Sequence, residues 1–447
     1  MVTQQTSATM APSTPSWPVP ARTTNRVLFL CWISILAEGY DVGVLGAVMP
    51  ALIAYEPWSL TPLQAGALGS QALIGMMIGA MLIGSLSDRL GRKKMLIISV
   101  VIFTTAQLGA ALAPTPELFG LFRLIGGLGM GGIIPVAAAM TIEFSHPRKR
   151  SLNYGLMYSG YSLGILAAAM VAFAILEQAG WRWVIGIGAV PVLLVPLLIW
   201  KLPESMESLL IRGEREKARQ HAAELGINPY HEAEWMPAKS PQKQHTSWKD
   251  SLSVMFSRGY RVATIGFWVA LFCGLLLVYG LNTWLPNIMK EAGYELGSSI
   301  LFLAVFSLAS AIGGILIGGA ADKYGKKLIL VVFYVLGAAG ILLLMFPNSM
   351  LVNYIFVALA GVGTIATSLV LTGWVADYYP AYARATATGW ALSFARVGAI
   401  AGPLLGGWIA GMALGFEWNF IIFAVVGVLA AVFVAIIPTT RKETPVE

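Results

Sequence analysis

Gly84-Ser85-Leu86-Ser87-Asp88-Arg89-Leu90-Gly91-Arg92-Lys93-Lys94 is a polar island in an apolar chain. It returns as Gly318-Gly319-Ala320-Ala321-Asp322-Lys323-Tyr324-Gly325-Lys326-Lys327, with the two aspartates 234 positions apart. Each copy joins the second and third apolar runs of its half of the chain. The sequence is therefore a duplicated unit. Two parallel repeats with a binding site at their interface, near the bilayer midplane, are an architecture of secondary transporters.

The surrounding composition agrees. Of the 447 residues, 57% are hydrophobic and only 11% charged, and the mean hydropathy is +0.74. A soluble domain carries about a quarter charged residues. Apolar runs of about 20 residues, the length that crosses a bilayer, fall at 27–52, 64–87, 94–113, 117–143, 153–177, 182–201, 261–285, 297–320, 328–346, 350–376, 385–411 and 417–437. The expected fold is all-α and integral to the membrane, with twelve transmembrane helices in two pseudo-symmetric six-helix bundles. Its parts are a disordered cytoplasmic tail at 1–24, a first bundle at 25–201, a cytoplasmic linker at 202–260, a second bundle at 261–438 and a cytoplasmic tail at 439–447. Within the linker, Glu204–Leu225 is charged and helix-prone.

Basic residues orient the runs. Arg89, Arg92, Lys93 and Lys94, then Arg148, Lys149 and Arg150, then Lys323, Lys326 and Lys327 fall in connections on one side. The opposite loops carry only Arg182 and Lys290. The positive-inside rule places both termini and the linker in the cytoplasm of a multi-pass cell-membrane protein. The net charge of +7 belongs to these loops and does not point to nucleic acid. Cys31 and Cys273 lie far apart in apolar runs, and all four histidines lie in polar segments, so no disulfide framework, metal site or catalytic cluster is expected. The chain reads as neither an enzyme nor a receptor. No cofactor is expected beyond protons as the coupling ion.

Leu36-Ala37-Glu38-Gly39-Tyr40-Asp41-Val42-Gly43-Val44-Leu45-Gly46 lies inside the first run. A carboxylate at that depth costs a few kcal/mol on insertion scales and marks function by default. Glu38 and Asp41, three apart, share a helix face. Three glycines keep the helix thin for a close neighbour.

Taken together, the repeated loop and the six-plus-six layout resemble the major facilitator superfamily. The stretch Glu38-Gly39-Tyr40-Asp41 with Gly43, Gly46 and Pro50 resembles the first-helix signature of its aromatic acid:proton symporters, with Glu38 where that family usually has aspartate. Arg123-Leu124-Ile125-Gly126-Gly127 through Pro135, with Glu143 at the helix end, resembles the family's fourth helix, although Val136 stands where asparagine is frequent. Ala383 to Gly389, Arg396 and Gly402-Pro403 resemble its eleventh. The resemblance implies proton-coupled import of a benzoate-, hydroxybenzoate-, gentisate- or protocatechuate-type acid by alternating access. It also implies that the first and fourth helices line the cavity. The working unit is expected to be a monomer in the bilayer. The alternatives are a symporter for another small organic acid or a betaine-like solute and, less favoured, a drug exporter.

On this reading Asp41 is the first candidate for proton coupling and Glu38 its support. Arg123 is the partner of Asp41 or of a substrate carboxylate, and its planar fork suits either. Arg396 has no acid within a turn and needs a partner from another helix or a ligand. Asp88, Arg89, Arg92, Asp322 and Lys323 are assigned to gating. Glu143, Tyr279 and Asn282 are cavity candidates, and Trp374 and Trp284 are aromatics that either line the cavity or pack.

Overall fold

The computed structural model describes residues 19–226, 253–412 and 414–439. Within them, twelve helices are long and apolar enough to cross a membrane. The first six are α1 (Ala21–Ile53), α2 (Pro62–Leu90), α3 (Arg92–Leu112), α4 (Pro116–Glu143), α5 (Arg150–Ala179) and α6 (Trp181–Lys201). The second six are α7 (Arg261–Glu291), α8 (Leu296–Tyr324), α9 (Lys326–Leu343), α10 (Met350–Tyr378), α11 (Ala381–Gly411) and α12 (Glu417–Ile436).

Local chemistry sets these ends. α2 and α4 both open with a threonine cap followed by proline, where the missing N–H costs nothing. Thr61 accepts from the Gln64 N–H while Gln64 accepts from the Thr61 N–H, a reciprocal capping box. α1 begins at Ala21, inside the stretch expected to be tail. α6 is interrupted after Ile187 and passes through a 3₁₀ turn at Val190–Leu193, because Pro191 supplies no donor to the helical ladder. α10 widens into a π-helical turn at Val362–Ala366, where Thr367 Oγ1 donates to the Val362 carbonyl at 2.9 Å.

The repeated loop has one backbone solution used twice. Gly91 ends α2 at φ +104°, and Gly325 ends α8 at φ +94°. Their N–H groups donate to the Ser87 and Ala321 carbonyls, each at 3.0 Å. A left-handed turn of this kind is open to glycine and strained for other residues. The glycine of the repeat therefore folds each second helix sharply onto the third.

Around Gly91 the linker clasps the first bundle. Two short helices, Met206–Ile211 and Arg215–Glu224, occupy the stretch expected to be helix-prone. Arg92 Nη1 donates to Glu143 Oε2 at 2.8 Å and to Glu207 Oε2 at 2.9 Å. Glu143 also accepts from the Ser205 hydroxyl at 2.5 Å and from the Glu207 N–H at 3.2 Å. Glu204 accepts from the Lys93 N–H at 3.1 Å, and its own N–H donates to His221 Nε2 at 3.1 Å.

The bundles meet unevenly. At the end remote from the basic loops, here the far end, backbones touch. A Cβ on Gly46 would lie 1.8 Å from the Asn282 carbonyl oxygen, and one on Gly66 would lie 2.5 Å from that of Pro403. Ser70 donates to the Ile400 carbonyl at 2.7 Å and Asn282 Nδ2 to that of Val42 at 3.1 Å, and at mid-depth Ser310 donates to Ser162 at 3.3 Å. At the basic end, Gly84, Gly155, Gly318 and Gly389 have nothing within 4 Å of a built Cβ. The halves are joined at the far end and parted at the basic end.

Candidate functional site

A cavity of about 180 Å³ lies between the bundles, from mid-depth towards the basic end. One wall is a face of α5. Tyr154, Tyr158 and Tyr161 follow helical spacing, so their side chains lie above one another. Their rings form a ladder, with centroids 6.2 Å and then 5.8 Å apart and planes within 19° and 23°. At its deep end Tyr161 donates to the Tyr279 hydroxyl on α7 at 3.0 Å, a bond across the two bundles. Leu271, Leu275 and Val278 of α7 make the apolar wall, and Ser368 and Thr372 follow the π turn of α10. The Ser368 and Tyr334 hydroxyls are 3.2 Å apart.

Arg396 of α11 reaches this cavity and is its sole charged lining residue among the described residues. It is half-buried, and among the described residues its guanidinium has no hydrogen-bond or salt-bridge partner. Such a group offers five donors in a planar fork. Aromatic faces, hydroxyls and one free guanidinium together suit a flat ring that carries a single carboxylate.

The two acids of α1 are in different states. Asp41 is 2% exposed, and Arg123 Nη1 donates to its Oδ1 at 2.7 Å. Arg123, 4% exposed, also approaches the Asp41 carbonyl and Gln107 Oε1, each at 3.4 Å. Glu38 is fully buried, and among the described residues neither of its carboxyl oxygens has a hydrogen-bond partner. The charges that act on it come from Arg396 and Asp41. An unpaired carboxylate in a dry site is costly, and taking up a proton removes the charge. Tyr40, between the two acids in sequence, turns away and donates to the Val184 carbonyl at 2.7 Å.

The other expected residues fall as follows. Tyr279 lines the cavity. Asn282 does not; it lies beyond Tyr279, at a second, small space of about 10 Å³ shared with Arg123 and Thr283. Glu143, expected at the cavity, is held instead in the Arg92–Glu207 clasp at the basic end, because the linker brings it a buried cation and two further donors. Trp374 packs edge-on to Phe267 at 5.1 Å, and Trp284 Nε1 donates to the Pro403 carbonyl at 2.9 Å. Arg92 is buried in the clasp, whereas Arg89, Asp322 and Lys323 are exposed at the basic end. The Asp88 side chain lies outside the described residues.

Sequence reasoning passed over the α5 ladder and Ser368. The ladder had a signal: Tyr154-x₃-Tyr158-x₂-Tyr161 puts three tyrosines on one face. Among fifteen tyrosines and fourteen tryptophans, most of them belt or packing residues, that spacing did not stand out.

Comparison with known proteins follows the same lines. The family described as Major Facilitator Superfamily matches residues 31–368 and 298–447. The chain is 32% identical to the benzoate transport protein of Acinetobacter baylyi, over 94% of this chain and 91% of that one. It is 35% identical to the gentisate transporter of Corynebacterium glutamicum, over 92% and 87%. It is 31% identical to the 4-hydroxybenzoate transporter PcaK of Pseudomonas aeruginosa, over 88% and 87%. Among solved structures, the inward open conformation of the xylose transporter XylE from E. coli superposes with a TM-score of 0.74, at 20% identity, over 94% of this chain and 98% of that one. That likeness concerns the fold.

Proposed function

The chain belongs to the major facilitator superfamily, among its aromatic acid transporters, and from that premise we propose that it imports a single-ring aromatic monocarboxylate together with protons. The observation that carries this reading is Arg396, a half-buried cation without a partner among the described residues, in a cavity walled by tyrosines. The substrate carboxylate takes the guanidinium, and the ring lies against the α5 ladder. The names of the relatives support a substrate of the benzoate, hydroxybenzoate or gentisate kind. A betaine-like zwitterion fits less well, because Arg396 would take its carboxylate but the described lining offers its ammonium no carboxylate.

The basic end is the cytoplasmic face of the cell membrane by the positive-inside rule, so the conformation described faces inward. Glu38 is the proton carrier in this proposal. It has no bonded partner to lose on protonation, whereas Asp41 is occupied by Arg123. Glu38 stands on the first bundle and Arg396 on the second, so proton and anion load opposite halves of the machine. One proton with one monoanion moves no net charge and draws only on the pH gradient. A second proton would add about 2.3 kcal/mol per 100 mV of membrane potential.

Uptake of labelled benzoate-type acids into cells that produce the protein, with and without a protonophore, tests the proposal. Accumulation that collapses with the protonophore is expected. Accumulation that persists removes proton coupling, and no uptake of any aromatic acid removes the substrate class.

A further inference from the structure

Tyr279 has cavities on both sides. Towards the basic end it lines the space that holds Arg396, and towards the far end it lines the small space of about 10 Å³ that holds Arg123. Each space thus contains one guanidinium, and the Tyr161–Tyr279 bond runs between them. We propose that this hydroxyl pair is a partition between two anion stations, and that its opening is the step that hands the carboxylate from Arg123 to Arg396.

The geometry suits that role in three ways. First, the two tyrosines come from opposite bundles, α5 and α7, so movement of one bundle against the other acts directly on the bond. Second, Tyr161 donates and Tyr279 accepts, which leaves the Tyr279 O–H to donate to an anion on either side. Third, the Tyr161 ring continues the stacked ladder, so a ring that passes the partition enters at once onto an aromatic face that leads towards the basic end. On the far side Arg123 is held by one Asp41 oxygen, while Oδ2 has no hydrogen-bond partner among the described residues. An anion that arrives there competes with Asp41 for the guanidinium. Tyr279 and Tyr161 form the partition in this scheme, and Arg123 and Arg396 supply the charge that holds the anion on either side of it.

The inference rests on the proposed function for the identity of the anion, but its test needs no substrate. Thr283 lies on the far side of Tyr279 and is 6% exposed. Thr283→Cys is labelled in inverted membrane vesicles with a charged, impermeant thiol reagent. Gly389→Cys, exposed at the basic end, marks the face the reagent reaches. The chain without either substitution gives the baseline, since Cys31 and Cys273 are buried. With the partition intact, the thiol introduced by Thr283→Cys reacts slowly. Tyr279→Phe and Tyr161→Phe each keep the ring and delete the bond. Each is expected to speed labelling about tenfold, the equivalent of one hydrogen bond of about 1.4 kcal/mol. The double variant should be no faster than either single one, because both remove the same bond. Unchanged labelling in the single variants, or multiplied rates in the double, overturns the partition. Faster labelling in a protein that takes up no aromatic acid would keep the partition and remove the substrate reading.

Discussion

Arg396 and Arg123 should fail in opposite ways when neutralised. Arg396→Gln removes a cation that bonds no described protein group. No hydrogen bond is lost, and buried Glu38, on which the Arg396 charge acts, can shed its own charge by taking up a proton, so stability should move by no more than about 0.5 kcal/mol. A carboxylate would lose its charge-assisted hydrogen bonds, worth about 1.5–3 kcal/mol. At about 1.4 kcal/mol per decade, KM should rise roughly 10- to 150-fold. Arg123→Gln strips the partner from Asp41, which is 2% exposed and bonded at 2.7 Å. Breaking a buried pair from one side costs about 3–5 kcal/mol, so this variant should unfold at a distinctly lower temperature whatever it does to transport. The assays are thermal unfolding of the purified protein in detergent and the KM for labelled benzoate in proteoliposomes. The reasoning is refuted if Arg396→Gln transports with an unchanged KM, or if it destabilises the protein as much as Arg123→Gln does.

Two further outcomes follow from the same geometry. Glu38→Gln should retain exchange of substrate across the membrane but lose accumulation driven by a pH gradient; accumulation equal to that of the native protein would remove Glu38 from the coupling step. Glu143→Ala breaks a buried pair with Arg92 and takes the acceptor from the Ser205 hydroxyl and the Glu207 N–H, so it should lower stability by roughly 3–5 kcal/mol, with KM unchanged because the clasp is remote from the cavity; a raised KM at native stability would contradict that placement.

Much of the fold could be read in advance, for reasons specific to membranes. Bilayer thickness fixes the length of each run, so twelve spans stand out by hydropathy alone. The duplicated loop announced its own geometry, since Gly91 and Gly325 occupy equivalent left-handed turns. Arg396 was visible because a lone cation at depth is costly. What could not be read was which partner each charge had found. Glu143 carries no mark of Ser205 or Glu207, more than 60 positions away and brought to it only by the linker's fold. The preference for Asp41 over Glu38 rested on position and family signature. Neither reports that Arg123 bonds one acid and not the other. The α5 tyrosines show the same limit: helical spacing says that three rings share a face, but not whether that face meets lipid, protein or a cavity.

The far-end seam has a mechanical consequence. It consists of glycine–backbone contact and neutral hydrogen bonds, and among the described residues no ion pair crosses it. Bonds of about 1 kcal/mol each can part and re-form at every turnover without stranding a charge in hydrocarbon. The strong pairs, Arg92–Glu143 and Arg123–Asp41, lie within one bundle, so rocking of the halves does not pull on them. The molecule thus keeps its wearing surface free of charge. A rocking seam without charge is also indifferent to the ionic strength of the medium that bathes it.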